Sequence, residues 1–270
     1  PQCGQASGPD AVTRAATHAE DLGYDDIWVS DHLAVPKDAP YPPTAYIHEP
    51  IVTLTWAAAV TTRVGLGTSV LVLPMRRPLV LAKMLSSLDL MSGGRLIVGA
   101  AAGWLREEFD ALGVPFTERG KRTDETLKMM RACWTEDPVN FDAVATGGQM
   151  VNMRANPRPN RPIPIWVGGM SDAALNRAIK HGDGWHASGS NTDDLTDRIA
   201  TLRAARPEED FVISARQHWD PQGDDVDDMK RQIAEFREIG VQHLMFQPRQ
   251  RYADDWHRSV EMLWDMTRGA

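Results

Sequence analysis

Cysteine is nearly absent: the 270 residues hold only Cys3 and Cys133. Two thiols build no disulfide framework and match no metal-ligand spacing. Long apolar runs are also missing. The longest are strand-sized, which leaves no transmembrane span, and no secretory leader is legible. Positive charge is scarce, with 29 Lys and Arg against 37 Asp and Glu and a net charge of −8. That balance disfavours general binding to nucleic acid or to anionic membranes, and leaves room only for a local basic patch. No HExxH, P-loop, GxSxG or zinc-spaced Cys/His set occurs, so metal, nucleotide and serine hydrolysis have no support. A reducing cytoplasm is the expected setting. The chain opens at Pro1 without a strand before its first helical stretch.

What is present is ordinary globular material, 42% hydrophobic and 24% charged, enough for a sizeable core. Short runs rich in Val, Ile and Leu alternate with longer amphipathic stretches. Strands are predicted at residues 26–30, 64–72, 95–101, 165–167, 184–187, 211–217 and 243–247. Helices fall between them, for example at 10–22, 78–91, 171–181 and 254–268. Such alternation means βαβ units and a parallel sheet, and near-continuous apolar strands mean a sheet covered on both faces. Residues 135–162, with Gly147-Gly148 and several Asn and Pro, break the rhythm and read as an insertion. An open doubly wound sheet would announce a Gly-rich phosphate turn after its first strand. None is seen, so the reading is a single (β/α)8 TIM barrel over residues 1–270, with its first strand missing before Pro1.

In a barrel, chemistry collects where strands exit into helices. The first legible exit carries Asp31-His32, the best acid/base pair in the chain, because histidine titrates near neutrality. His186 and His218 lie at later strand ends as weaker candidates. Gly168-Gly169-Met170-Ser171 precedes a helix, where small residues, a capping hydroxyl and free N–H groups suit a phosphate. Gly99 to Gly103 is a run of small residues at a strand end that suits either a flat ring or close packing of the adjacent helix, and Trp104 and Trp185 read either as walls of such a pocket or as plain core. Arg76 and Arg77 suit an anionic tail, and Tyr41 and Tyr46 a substrate pocket, but each of these also reads as plain packing or surface.

Three segments together carry a resemblance: SDHLAVP, the stretch from GLGTSVLVLPMRRP to GWLREEFDALGVPF, and PIWVGGMSDAALNRAIKHGDGWHASG. They resemble the luciferase-like monooxygenase superfamily, and more narrowly its coenzyme F420-dependent oxidoreductases, over about residues 23–186. The resemblance implies a barrel with an insertion that binds F420, or alternatively FMN, at its mouth. It places Asp31 and His32 beside the reactive ring, with His32 handling a proton and Asp31 orienting it or supporting the pocket. It places a non-prolyl cis peptide at Ser69–Val70, the ring and ribityl chain along Gly99, Ala101 and Gly103, and the phosphate on Gly168, Gly169 and Ser171, with Met170 and Trp185 in the same wall. The implied activity is hydride transfer between F420 and a small organic substrate. An FMN-dependent monooxygenase and a flavin-binding protein without turnover are the alternatives, and a homodimer is the implied assembly.

Overall fold

The structure is a computed structural model that describes residues 2–4, 7–39, 42, 46–188, 191–248 and 253–268. Helix α1 (Pro9–Leu22) has proline in its first turn and stops at Gly23, whose φ of 103° only glycine adopts readily. It leads into β1 (Asp26–Val29), and then α2 (Pro50–Val60) and β2 (Gly65–Thr68) follow. The predicted strand at 64–72 is split in two around the cis Ser69–Val70 peptide and resumes as β3 (Leu71–Val72). Next come α3 (Pro78–Met91), β4 (Leu96–Ala101), α4 (Arg106–Ala111) and α5 (Arg119–Thr135). Residues 135–162 hold an antiparallel hairpin of β5 (Val139–Asp142) and β6 (Gln149–Met153), apart from the main sheet. The alternation then resumes with β7 (Ile165–Gly168), α6 (Asp172–His181), β8 (Gly184–Ser188), α7 (Thr192–Ala205), β9 (Val212–Gln217), α8 (Val226–Glu238), β10 (His243–Phe246) and α9 (Ala253–Arg268).

Every pairing in the main sheet is parallel, in the order β1-β2-β4-β7-β8-β9-β10, with β3 also on β4. The sheet curls into a nearly closed barrel with helices outside. Trp28 on β1 stacks on Trp166 of β7 and on His186 of β8, with ring centroids 5.2 Å apart in each case, although neither strand neighbours β1. These rings therefore meet across the interior. Helices α2, α3 and α5 close one apolar cluster around Leu54, Leu85, Leu96 and Met130, while α6 to α9 close a second around Trp185, Phe211, Ile213 and Leu263.

Among the described residues β1 and β10 do not pair. Between them lies a lateral cavity of about 240 Å³ lined by Ala15, Ala19, Ile27, Leu244 and Val260 among others. Across it His243 Nε2 lies 3.1 Å from Asp26 Oδ1, and the Tyr24 hydroxyl donates to the Val260 carbonyl at 2.8 Å. The Gln2 side chain also binds the end of β1, donating to the Ser30 carbonyl at 2.6 Å and accepting from the Ser30 N–H at 2.7 Å.

Candidate active site

The C-terminal ends of the strands open onto one cavity of about 660 Å³. That is within the size range of small-molecule and cofactor pockets. Its wall includes Asp31, His32, Ser69, Val70, Ala101, Gly103, Gly168, Gly169 and Ser171 of the sequence-derived set. Gly99, Met170 and Trp185 do not line it, and each has a physical reason for lying behind the wall. A Cβ on Gly99 would meet the Thr68 carbonyl at 1.9 Å, so Gly99 serves the close approach of β4 to β2. Met170 packs into the second apolar cluster. Trp185 is fully buried and donates Nε1–H to the Gly169 carbonyl at 2.8 Å, fixing the turn from beneath.

His32 follows β1, and its Nδ1 lies 3.0 Å from Glu108 Oε2 on α4. The other oxygen of Glu108 accepts from the backbone N–H of Leu33 at 2.6 Å and of Ala34 at 3.3 Å. Burial alone would raise this carboxyl, but the bonds from His32, Leu33 and Ala34 outweigh it and hold Glu108 below its ordinary value. A carboxylate there accepts the Nδ1 proton, which leaves Nε2 as the ring nitrogen available to a ligand. Trp104 packs edge-on against His32, centroids 5.9 Å apart, and joins the cavity wall.

Asp31 does not orient His32. Its buried carboxylate takes the Arg76 guanidinium at 2.8 and 3.3 Å and the Val72 N–H at 2.9 Å. Arg76 in turn reaches Glu49 at 2.8 Å. Burial works against the Arg76 charge, yet Asp31 and Glu49 outweigh it and raise its pKa. Arg76 is thus spent inside the protein, tying the exits of β1 and β3 to the start of α2. Arg77 donates to the Thr146 carbonyl at 3.3 Å. Tyr46 is exposed and packs on His48 away from the cavity, and Tyr41 lies outside the described residues.

The turn before α6 makes a cradle. Gly169 has φ of 119°, and Ser171 caps the helix by accepting from the Ala174 N–H. A Cβ on Gly168 would strike Val70 Cγ1 at 2.8 Å, so the floor at the cis peptide and the glycine turn touch. Arg119 and Arg177 line the same end of the cavity.

Sequence reasoning missed two members. Glu108 is an acidic residue in a helix's first turn, which reads as a complement to the helix dipole. Arg216 on β9 is buried and lines the cavity, with Nη1 donating to the Ser69 carbonyl at 3.2 Å. Its Nε is buried with no hydrogen-bond partner among the described residues. His186 and His218 also lie in the wall.

A family model described as luciferase-like monooxygenase matches residues 2–264. An uncharacterised protein of Mycobacterium tuberculosis is 35% identical over 209 residues, covering 72% of this chain and 70% of that one. An F420-dependent glucose-6-phosphate dehydrogenase of Amycolatopsis mediterranei is 33% identical over 201 residues, 71% of this chain but only 57% of that protein. Two solved structures share the fold at low identity. One is the monooxygenase RslO1 from Streptomyces bottropensis, with a TM-score of 0.84 at 20% identity and coverage of 100% and 97%. The other is an F420-dependent secondary alcohol dehydrogenase in complex with an F420-acetone adduct, with a TM-score of 0.82 at 19% identity and coverage of 96% and 94%.

Proposed function

The chain belongs to the luciferase-like monooxygenase family, and on that premise we propose that it is an F420-dependent oxidoreductase acting on a small organic substrate. The observation that carries this reading is the His32–Glu108 pair on the wall of a cavity that also has a glycine cradle at a helix N-terminus.

The residues present fit a phosphate-bearing tricyclic cofactor. Gly168 and Gly169 line the cavity where a Cβ would crowd Val70 or Ala174, and the α6 N-terminus with Ser171 suits a phosphate. Arg216, which lines the cavity, keeps a buried Nε donor without a partner among the described residues. Bound there, the cofactor supplies hydride transfer. Gly168, Gly169 and Ser171 would hold the phosphate, while Ser69 and Val70 form the floor. His32 Nε2 holds or accepts the substrate's proton, and Glu108 fixes the tautomer and steadies the charge on the ring. The exposed apolar side chains Val52, Trp56, Val80 and Met91 on α2 and α3 fit the homodimer that the family resemblance implies.

Titration of the purified protein with F420 and with FMN, followed by ligand fluorescence, tests the reading. Tight F420 binding with FMN weaker by about tenfold or more, that is ~1.4 kcal/mol, is expected. The reverse preference overturns it in favour of a flavin monooxygenase. Binding without turnover across small alcohols and aldehydes overturns it in favour of a binding protein.

A further inference from the structure

The chain carries a net charge of −8, yet a patch of positive charge is concentrated away from the mouth. It lies on the flank of the barrel at the starts of β7 and β8, where α5, α6 and the end of α7 border a groove of about 590 Å³. None of its residues lines the mouth cavity. Buried Leu127 and Ala132 and half-buried Phe141 give the groove an apolar lining. Four cations border it: Lys128 and Arg131 from α5, Lys180 from α6, and Arg206 just after α7. His181, Asp183 and Glu136 are the other titratable groups of the wall.

The two arginines are engaged within the protein. Arg131 donates to the Ile163 carbonyl at 3.1 Å and to the Asp183 carboxylate, which also accepts from the Ile165 N–H at 2.8 Å. Arg206 donates to the carbonyls of Ile179 and Gly182 at 3.1 and 2.9 Å, and to Glu208 at 3.2 Å. Those carbonyls close α6, and the C-terminal end of a helix carries partial negative charge. The arginines therefore cover the acceptors that would repel an anion at Asp183 and at the end of α6. Lys128 and Lys180 have no hydrogen bond or ion pair among the described residues. Glu136, exposed at the end of α5, is likewise without an ion pair among the described residues.

We propose that this groove is a second ligand site, which takes a small phosphate-bearing molecule between Lys128 and Lys180. An arginine fork is the best match for a planar carboxylate, and both forks here are engaged. An ammonium group is a point charge with three rotatable donors, which suits a tetrahedral phosphate. Two of them on neighbouring helices favour a ligand with more than one negative group, such as a diphosphate. The volume is within the range of small-molecule sites, and the apolar lining leaves room for an organic body beside the phosphates. The site stands apart from the oxidoreductase chemistry and holds whether or not the mouth takes F420.

His181 reports on the charge in the groove. Burial holds its imidazole below the ordinary value, and the charges of Lys180, Lys128 and Arg177 push the same way against the pull of Asp124. A phosphate in the groove offsets those cations, so it raises the His181 pKa. By linkage the ligand then binds more tightly as His181 gains its proton. The charged groups around the ring are Asp124, Lys128, Arg131 and Glu136 from α5, Arg177 and Lys180 from α6, Asp183 before β8 and Arg206 after α7. Phe141, from the hairpin, adds no charge.

The test is calorimetric titration of the protein with inorganic diphosphate at ~0.15 M salt, where loose surface attraction is screened beyond ~8 Å. Histidine NMR follows the same titration, with the His181 signals assigned against His181→Gln. The expected result is saturable binding that raises the pH midpoint of His181. Lys128→Gln and Lys180→Gln should each weaken it about tenfold, and Glu136→Gln should strengthen it about threefold. These three side chains are exposed, so thermal denaturation should not change, which separates loss of binding from loss of folding. The Gly168 turn also suits phosphate, so location decides. Diphosphate that leaves His181 unmoved, or that binds equally well after both lysines are replaced, sits elsewhere and overturns the site. Citrate binding as tightly as diphosphate overturns the phosphate class, and the absence of saturable binding at this salt overturns the proposal. No readout involves F420 or FMN, so failure of the proposed function would leave this result standing.

Discussion

Glu108 Oε2 lies 3.0 Å from His32 Nδ1, joining residues 76 positions apart, and the same carboxylate caps the backbone of Leu33 and Ala34. One buried side chain therefore sets both the tautomer of the proton-handling histidine and the path of the loop that carries it.

Glu108→Gln should lower turnover by about tenfold or more while cofactor affinity holds within about threefold, because an amide cannot stabilise a charged imidazole. Stability should carry a pH signature as well. The folded-state pKa of Glu108 is depressed below 4.5. The wild type therefore holds an advantage at neutral pH that fades as pH falls from its ordinary value through the lowered one. Urea midpoints of both proteins at neutral and acid pH check this. A gap that does not narrow in acid contradicts the bonding given to Glu108.

Asp31 is adjacent to His32 in sequence but belongs to the Arg76–Glu49 network. Asp31→Ala should destabilise the fold by about 3–5 kcal/mol by leaving the buried Arg76 short of a partner. Turnover per folded molecule should stay within about threefold of wild type, whereas His32→Ala should abolish most of it. Thermal denaturation beside active-site-normalised kinetics separates the two. Equal loss of turnover in both variants would return Asp31 to the proton chemistry.

The strand and helix alternation was legible because apolar runs such as residues 165–167 are buried on both faces. The placement of His32, Ser69 and Gly168 on one cavity followed from the rule that strand ends converge. Glu108 and the groove between Lys128 and Lys180 were not legible. Glu108 needs α4 to fold back onto the loop after β1, and the groove needs α5 and α6 side by side, where Arg177 pairs with Asp124. Neither quantity leaves a local pattern in the chain. Trp185 misled for a related reason: its position at a strand end is right, but strand residues alternate sides, and its ring points outward under the Gly169 turn.

Gly168→Ala should weaken cofactor binding by about tenfold, ~1.4 kcal/mol, because the added methyl meets Val70 Cγ1 at 2.8 Å on the cavity floor. Val70 is β-branched and has little freedom to turn away. Pairing the change with Val70→Ala should recover part of the affinity, so the double variant binds better than the sum of the single effects allows. Fluorescence titration of the four proteins measures the coupling, and strict additivity would mean that the two residues do not share the floor.

His186 supplies a stability test that needs no ligand. Its imidazole is held down to about 3, chiefly by burial and then by the charges of His243 and Arg216. In the unfolded chain the same ring protonates near its ordinary value of 6.5. Between those two values the unfolded state binds a proton that the folded state refuses. The folded chain is therefore fully favoured above pH 6.5 and loses about 1.4 kcal/mol per pH unit as pH falls below it, until the folded ring itself protonates. Other groups titrate in the same range, so the measurement is a difference. His186→Gln keeps a polar group between Ser69 and Ser214 and removes the titration. Its unfolding free energy should lie below the wild type's at pH ~7 and converge on it toward pH ~4. Parallel pH profiles for the two proteins would mean that His186 takes up its proton equally in the folded and unfolded chain, which contradicts a burial-depressed imidazole.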